Sequence, residues 1–183
     1  MEWGWHELKK SFVISAIVEH KPGVLHKIAN MFSRRGFNID SLSVGETVGR
    51  DLARMTVTIK GDEPTAQQVI RQLEKLIDVI NVSMLDPDRT VQRELALIKL
   101  KIGSPENRSM IMDYTNIFRG RIIDVSTDSV VIEITGTPDK MNAFISLTSR
   151  FGILEIARTG ITALPRGMGS VPIEVENKGE GIW

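Results

Sequence analysis

The sequence predicts an α+β chain in which one β-α-β-β-α-β module, the ferredoxin-like arrangement, is used twice in tandem. Three observations predict it. Runs of strand and helix periodicity follow one another in that order from residue 12 to residue 85. The same order restarts after Asp86-Pro87-Asp88-Arg89. The halves also share residues: Arg35-Gly36 recurs as Arg119-Gly120 and Ile39-Asp40 as Ile123-Asp124, each 84 residues apart (35 to 119, 39 to 123).

Residues 12–19 are rich in apolar and β-branched types and read as a buried strand. His20-Lys21-Pro22-Gly23-Val24-Leu25 joins it to a helix over 24–35, with Leu25, Ile28 and Phe32 inward and Val24 and Met31 beside them. Pro22 suits a first helical turn, and Gly36 suits the helix end. Residues 37–44 read as the second strand and 45–51 as a hairpin connection. Met55, Val57 and Ile59 alternate with Arg54, Thr56, Thr58 and Lys60, a third strand with one buried and one polar face. Gly61-Asp62-Glu63-Pro64 opens a second helix striped by Val69, Ile70, Leu73, Leu76 and Ile77, and 79–85 is the fourth strand.

In the second module Ile98, Leu100 and Ile102 mark a strand. Ser104-Pro105 caps and opens a helix with Met110, Tyr114, Ile117 and Phe118 inward. Residues 119–124 end that helix and begin a strand, and 130–135 form the next. Thr137-Pro138 opens a helix containing Met141, Phe144, Ile145 and Thr148, and 153–157, extended toward Leu164, closes the module. The predicted organisation is an N-terminal extension (1–11), a first domain (12–85), a linker (86–92), a second domain (93–165) and a tail (166–183), whose glycine-rich stretch 171–183 reads as mobile.

Composition excludes several function classes. Lys+Arg 23 balances Asp+Glu 23, so the chain as a whole presents no electrostatic case for nucleic acid or an anionic membrane. The absence of cysteine rules out disulfides and thiol chemistry and fits a reducing, cytoplasmic compartment. No apolar run approaches the ~20 residues of a membrane span, and residues 1–10, with Trp3, Trp5 and His6, lack the apolar core of an export signal. There is no phosphate loop and no GxGxxG after a strand. His20 and His26 have no carboxylate at ligand spacing, Asp40 and Asp124 read as turn or strand-edge residues, and no general base has a partner. The reading is a non-enzyme with no catalytic residue, no metal site and no cofactor of its own.

Two features could serve binding. Glycine at the start of a helix lets a ligand approach the main chain, where unpaired amides and the helix dipole favour a carboxylate or phosphate. The strand after the first helix lies at a sheet edge in this topology, and exposed edges pair. Edge-to-edge dimerisation would bring Pro22-Gly23 of one chain toward the edge strand of another, where Asn38 offers both a donor and an acceptor.

A resemblance sharpens this. Lys21-Pro22-Gly23-Val24-Leu25, Arg34-Arg35-Gly36-Phe37-Asn38-Ile39-Asp40-Ser41-Leu42, Arg93-Glu94-Leu95-Ala96-Leu97-Ile98-Lys99, Ile117-Phe118-Arg119-Gly120-Arg121-Ile122-Ile123-Asp124-Val125 and Glu155-Ile156-Ala157-Arg158-Thr159-Gly160 resemble the regulatory (small) subunit of acetolactate synthase, also called acetohydroxyacid synthase. The match runs in order from about residue 12 to about residue 166, and the first half is similar to an ACT domain, a ferredoxin-like amino-acid sensor. The resemblance implies a homodimer through the ACT domains that binds and activates a catalytic large subunit and confers feedback inhibition by valine or another branched-chain amino acid. Thiamine diphosphate, magnesium and FAD would belong to that large subunit.

It also implies an effector site: His20, Pro22, Gly23, Val24 and Leu25 of one chain with Asn38 and Ile39 of another. The amides of Gly23, Val24 and Leu25 would meet the ligand carboxylate, Asn38 its polar end, and nearby apolar side chains its isopropyl group, whose burial contributes ~1.5–3 kcal/mol. His20 departs from the asparagine common in the family at this point. Neutral imidazole can accept from the ligand ammonium and imidazolium cannot, so effector binding is expected to weaken below about pH 6.5, where free histidine titrates. The departure leaves open which branched-chain amino acid acts. The rival reading is a free-standing amino-acid sensor acting on transcription or on another enzyme; no helix-turn-helix or basic recognition helix supports the transcriptional form.

Overall fold

The computed structural model describes residues 10–167; the expectations for residues 1–9 and for 168–183, including the mobile tail, lie outside them. The element order is β1 (Lys10–Glu19), α1 (Val24–Arg34), β2 (Ser41–Glu46), β3 (Leu52–Gly61), α2 (Glu63–Leu73), β4 (Val79–Leu85), β5 (Thr90–Lys101), α3 (Pro105–Ile117), β6 (Arg121–Val125), β7 (Ser129–Gly136), α4 (Pro138–Thr148), β8 (Ile153–Arg158) and β9 (Thr162–Pro165). The first sheet runs β2-β3-β1-β4 and the second β6-β7-β5-β8, with antiparallel pairing throughout. Each is the ferredoxin-like order, so the α+β fold with two such modules is correct. By compactness, among the described residues, one unit comprises 10–91 together with 163–167, and the other is Gln92–Thr162. The stretch expected as a linker is a short turn over Pro87–Arg89, after which β5 begins at Thr90.

Period-two alternation puts Ile14, Ala16 and Val18 of β1 and Met55, Val57 and Ile59 of β3 on the helix side of the first sheet. There they meet Ile28 and Phe32 of α1 and Val69 and Leu73 of α2 in one buried cluster. In the second unit Ile98, Leu100 and Ile132 meet Ile111, Met141 and Phe144 in the same way.

The helix stripes are narrower than predicted. On α1 the buried residues are Val24, Ile28 and Phe32, four apart, and Leu25 is turned out to 48% exposure. Ile77 and Ile117, both expected inward, are 89% and 71% exposed. Helix α2 stops at Leu73, so Ile77 lies past the end of the stripe. Ile117 is the last residue of α3, whose buried positions are Ile111 and Thr115. The second strand starts at Ser41 rather than Phe37, because Phe37 belongs to the helix ending. Its amide donates to the Phe32 carbonyl (3.0 Å), that of Gly36 to Ser33 (3.1 Å), and its ring packs edge-on against Phe32 with centroids 6.2 Å apart. These are the two bonds and the apolar contact of a Schellman motif, with Gly36 left-handed at φ 68°.

Helix α3 ends on the same motif one position out of step with the sequence repeat. Gly120 donates to Thr115 (2.8 Å) and Arg119 to Asn116 (3.0 Å), so Arg119, not Gly120, occupies the place of Gly36, 83 residues on (36 to 119). A side chain at Gly120 would come within 3.1 Å of the Glu133 carbonyl oxygen. The glycine is therefore fixed where space is short, and Arg119 takes the left-handed conformation at φ 53°. Arg119→Gly is accordingly expected to stabilise the chain by about 1 kcal/mol, read as a rise in the midpoint of chemical denaturation.

Candidate functional site

Three of the four α-helices among the described residues begin on a side-chain cap. The carboxylate of Asp62 accepts from the Thr65 amide, the hydroxyl of Ser104 from Asn107 and that of Thr137 from Lys140, and each of these helices carries proline in its first two positions. Helix α1 begins differently. Its N-cap is Gly23, with no side-chain cap, and Pro22 lies before the helix rather than in its first turn. Lys21-Pro22-Gly23-Val24 is instead a type II turn: Gly23 has φ 89° and ψ −15°, and the Val24 amide reaches the Lys21 carbonyl at 3.4 Å. Proline sets the second position of such a turn and glycine the third. The first bond of the helix runs from the Lys27 amide to the Gly23 carbonyl (3.0 Å), so the amides of Leu25 and His26 have no acceptor within the helix. Among the described residues, a Cβ built on Gly23 would meet nothing within 4 Å beyond its own chain neighbours. This is an open, electropositive corner with the exposed Leu25 beside it.

His20 borders the corner. Its amide donates to the Asp51 carbonyl (2.7 Å), and its ring Nδ1 lies 3.5 Å from Glu46 Oε1. With residues 47–52 of the β2–β3 hairpin these two line an open cleft of about 400 Å³. Asn38 and Ile39 lie elsewhere. Asn38 is exposed and Ile39 half-buried against the core, both in the connection between α1 and β2. Glu19 pairs with Leu52 on β3 and Ser41 pairs with Thr58, six residues further along, about 20 Å at strand rise. Within one chain, then, the structure gathers residues 20–25 at one end of the sheet and leaves Asn38 and Ile39 at the other.

Sequence reasoning missed what anchors the corner. The Asp78 carboxylate, 3% exposed in the connection between α2 and β4, receives Lys27 Nζ at 2.6 Å and lies 3.0 Å from Lys21 Nζ, which also pairs with Glu19. Lys27, then Lys21, hold Asp78 below the usual carboxylate range, while Glu19 and Asp78 raise Lys21. The signal was a lone carboxylate inside the apolar run Leu76-Ile77-Asp78-Val79-Ile80. A depressed carboxylate stabilises above its unfolded pKa and loses that contribution as pH falls through its folded one. A raised lysine stabilises below its unfolded pKa and loses its contribution as pH rises through its folded one. The cluster should therefore stay intact from about pH 4 to about pH 10. Melting temperatures across an acid titration should show the Asp78→Asn difference shrinking only below that range.

A second groove, of about 370 Å³, lies between α1 and the end of α2, where Lys27, Arg34, Arg35 and Lys75 surround Met31 and Leu76. Among the described residues no group of three or more His, Cys, Asp or Glu could hold a metal ion, and no helix is long and apolar enough to cross a membrane.

Two family profiles cover almost all of the described chain. Residues 14–81 match the AHAS small subunit-like ACT domain, and residues 93–167 match the small subunit of acetolactate synthase. A probable acetolactate synthase small subunit of Methanothermobacter thermautotrophicus is 53% identical over 155 residues, 85% of this chain and 92% of that protein. This chain belongs to the acetolactate synthase small-subunit family. The acetolactate synthase small subunit of Mycolicibacterium smegmatis is 44% identical over 160 residues, 86% of this chain and 94% of its own length. The crystal structure of the Thermotoga maritima acetolactate synthase small subunit superposes with a TM-score of 0.80 at 44% identity, covering 86% of this chain and 98% of that one. The chain is thus a regulatory subunit carrying an ACT domain, and a small subunit implies a catalytic large-subunit partner.

Proposed function

We propose that this chain activates an acetolactate synthase large subunit and makes it responsive to valine, or to another branched-chain amino acid, held between the ACT domains of two copies. The observation that carries the reading is the bare start of α1: an uncapped helix N-terminus on an open glycine, beside an exposed leucine, suits the carboxylate and side chain of a small amino acid. The separation of Asn38 from that corner then calls for a second chain. β2 is an edge strand. If two β2 strands pair antiparallel about a two-fold axis, the Ser41 end of one meets the Glu46 end of the other. Asn38 and Ile39 of one copy would then arrive where His20, Pro22, Gly23, Val24 and Leu25 of its partner lie. The Val24 amide is shared with the turn, so the donors best placed for the ligand carboxylate are Gly23, Leu25 and His26. Catalysis, with its thiamine diphosphate, magnesium and FAD, would reside in the large subunit, in the cytoplasm.

The test is to mix the chain with its cognate catalytic subunit and titrate valine, leucine and isoleucine. Activation followed by saturable inhibition is the expected result, and activity indifferent to all three would overturn the reading. The seam has its own test. Val44, 46% exposed on β2, would lie close to its counterpart in the partner strand, so Val44→Lys should set like charges near each other and yield monomers in analytical ultracentrifugation, with dimers partly restored by salt.

A further inference from the structure

We infer that Asp78 is a positioning residue for effector recognition, holding the Lys21-Pro22-Gly23 turn in its receiving shape by gripping a lysine on either side of it. The inference rests on the effector site proposed above and adds what sets that site's geometry.

Among the described residues, little within the turn itself holds it. Gly23 has no side chain, no described atom beyond its chain neighbours lies within 4 Å of where one would be, α1 lacks a side-chain cap, and the turn's own hydrogen bond is long at 3.4 Å. Its shape must be fixed from its ends: the His20 amide is held by the Asp51 carbonyl (2.7 Å), and a lysine at either end leads to one carboxylate. Lys21 is the first residue of the turn. Lys27 is the residue whose amide closes the first helical bond onto Gly23. Both ammonium groups converge on Asp78, and the Asp78 carbonyl also accepts from the Glu19 amide at 2.9 Å, fixing the end of β1 that leads into the turn. The segment bearing the free amides is thereby clamped at residues 19, 21 and 27 to a single buried side chain and its backbone.

The charges suit a clamp rather than a ligand site. Asp78 Oδ1 and Glu19 Oε2 are buried without an aligned hydrogen bond, and the Lys21 ammonium is the cation between them. Removing the Asp78 charge therefore has two opposing consequences. It frees the Lys27 ammonium and leaves Lys21 paired with Glu19 alone near an anion site, which would tighten carboxylate binding. It also releases the turn, which would weaken it. The lysine side chains are each 52% exposed, so their free charge would be screened by water and salt, and the loss of position should win.

The experiment uses the full chain assembled with its cognate catalytic subunit and L-valine as probe. It measures activation without valine, the half-inhibitory valine concentration and the melting temperature for wild type, Asp78→Asn, Lys27→Met and the double variant. Asp78→Asn is expected to raise the half-inhibitory concentration about tenfold, inside the 5–150-fold range of typical allosteric couplings, with activation retained. Lys27→Met should add little in the Asp78→Asn background, because both act through the same contact. Unchanged or tighter valine response in Asp78→Asn, loss of activation in proportion to feedback, or full additivity in the double variant would each overturn the inference while leaving the effector site standing. A wild-type complex that ignores valine, leucine and isoleucine would remove the effector reading itself, and this inference with it.

Discussion

Gly23→Asp is expected to abolish valine feedback while the chain still activates its catalytic partner. Two effects add. The substitution places a carboxylate where the ligand's own carboxylate would dock, against amides that can satisfy one anion. It also asks an L-residue to hold φ 89°, a left-handed conformation that costs about 1–2 kcal/mol for most side chains, although aspartate and asparagine tolerate it better. Gly23→Asn separates the two, because it carries nearly the same shape and backbone demand without the charge. The asparagine variant should shift the half-inhibitory valine concentration severalfold and the aspartate variant should push it beyond measurement. The open space around Gly23 means that neither should disturb packing. If the two behaved alike, backbone strain rather than ligand charge would be the cause, and the anion-docking role of this corner would fall.

Phe32→Ala is expected to have the largest effect on stability. Phe32 is 1% exposed, stands at the centre of the first unit's core, and gives Phe37 the edge-on contact that fixes the exit of α1. Truncating a buried phenylalanine to alanine typically costs about 3–5 kcal/mol. For a unit of this size that lowers the melting temperature by more than about 10 °C, which calorimetry would register. The neighbouring Leu25→Ala should do the reverse: its side chain is exposed, so melting should barely move, while valine response should weaken through lost apolar contact. Comparable destabilisation by both would contradict the inward and outward assignments on α1.

The fold was legible because it rests on period and punctuation. The alternation through Met55, Val57 and Ile59, the Ser104-Pro105 and Thr137-Pro138 helix starts, and Gly36 as a helix end are local signals, and local physics decides them. What the chain did not disclose depends on contacts distant in sequence. Leu25, Ile77 and Ile117 look like stripe residues until the helix is rotated and cut to length by the sheet it covers. The Arg-Gly repeat suggested equivalence, but crowding by the Glu133 carbonyl moved the second glycine one place along. Proline and glycine marked the strand-to-helix junction at residues 20–25, but it is a type II turn ahead of α1 rather than the first helical turn expected for Pro22. Its anchor was not legible, because Asp78 is separated from Lys27 by 51 positions and no motif joins them.

One irregularity in the first sheet bears on how far copies of this chain could stack. β4 forms the rim opposite β2, and its ladder with β1 skips a residue: Ile17 pairs with Asn81 but Val18 with Val79, leaving Ile80 out of register. A skipped residue bends and twists a rim so that another strand cannot zip onto it. Growth through β2 would therefore terminate after one round, giving a closed pair instead of an endless ribbon.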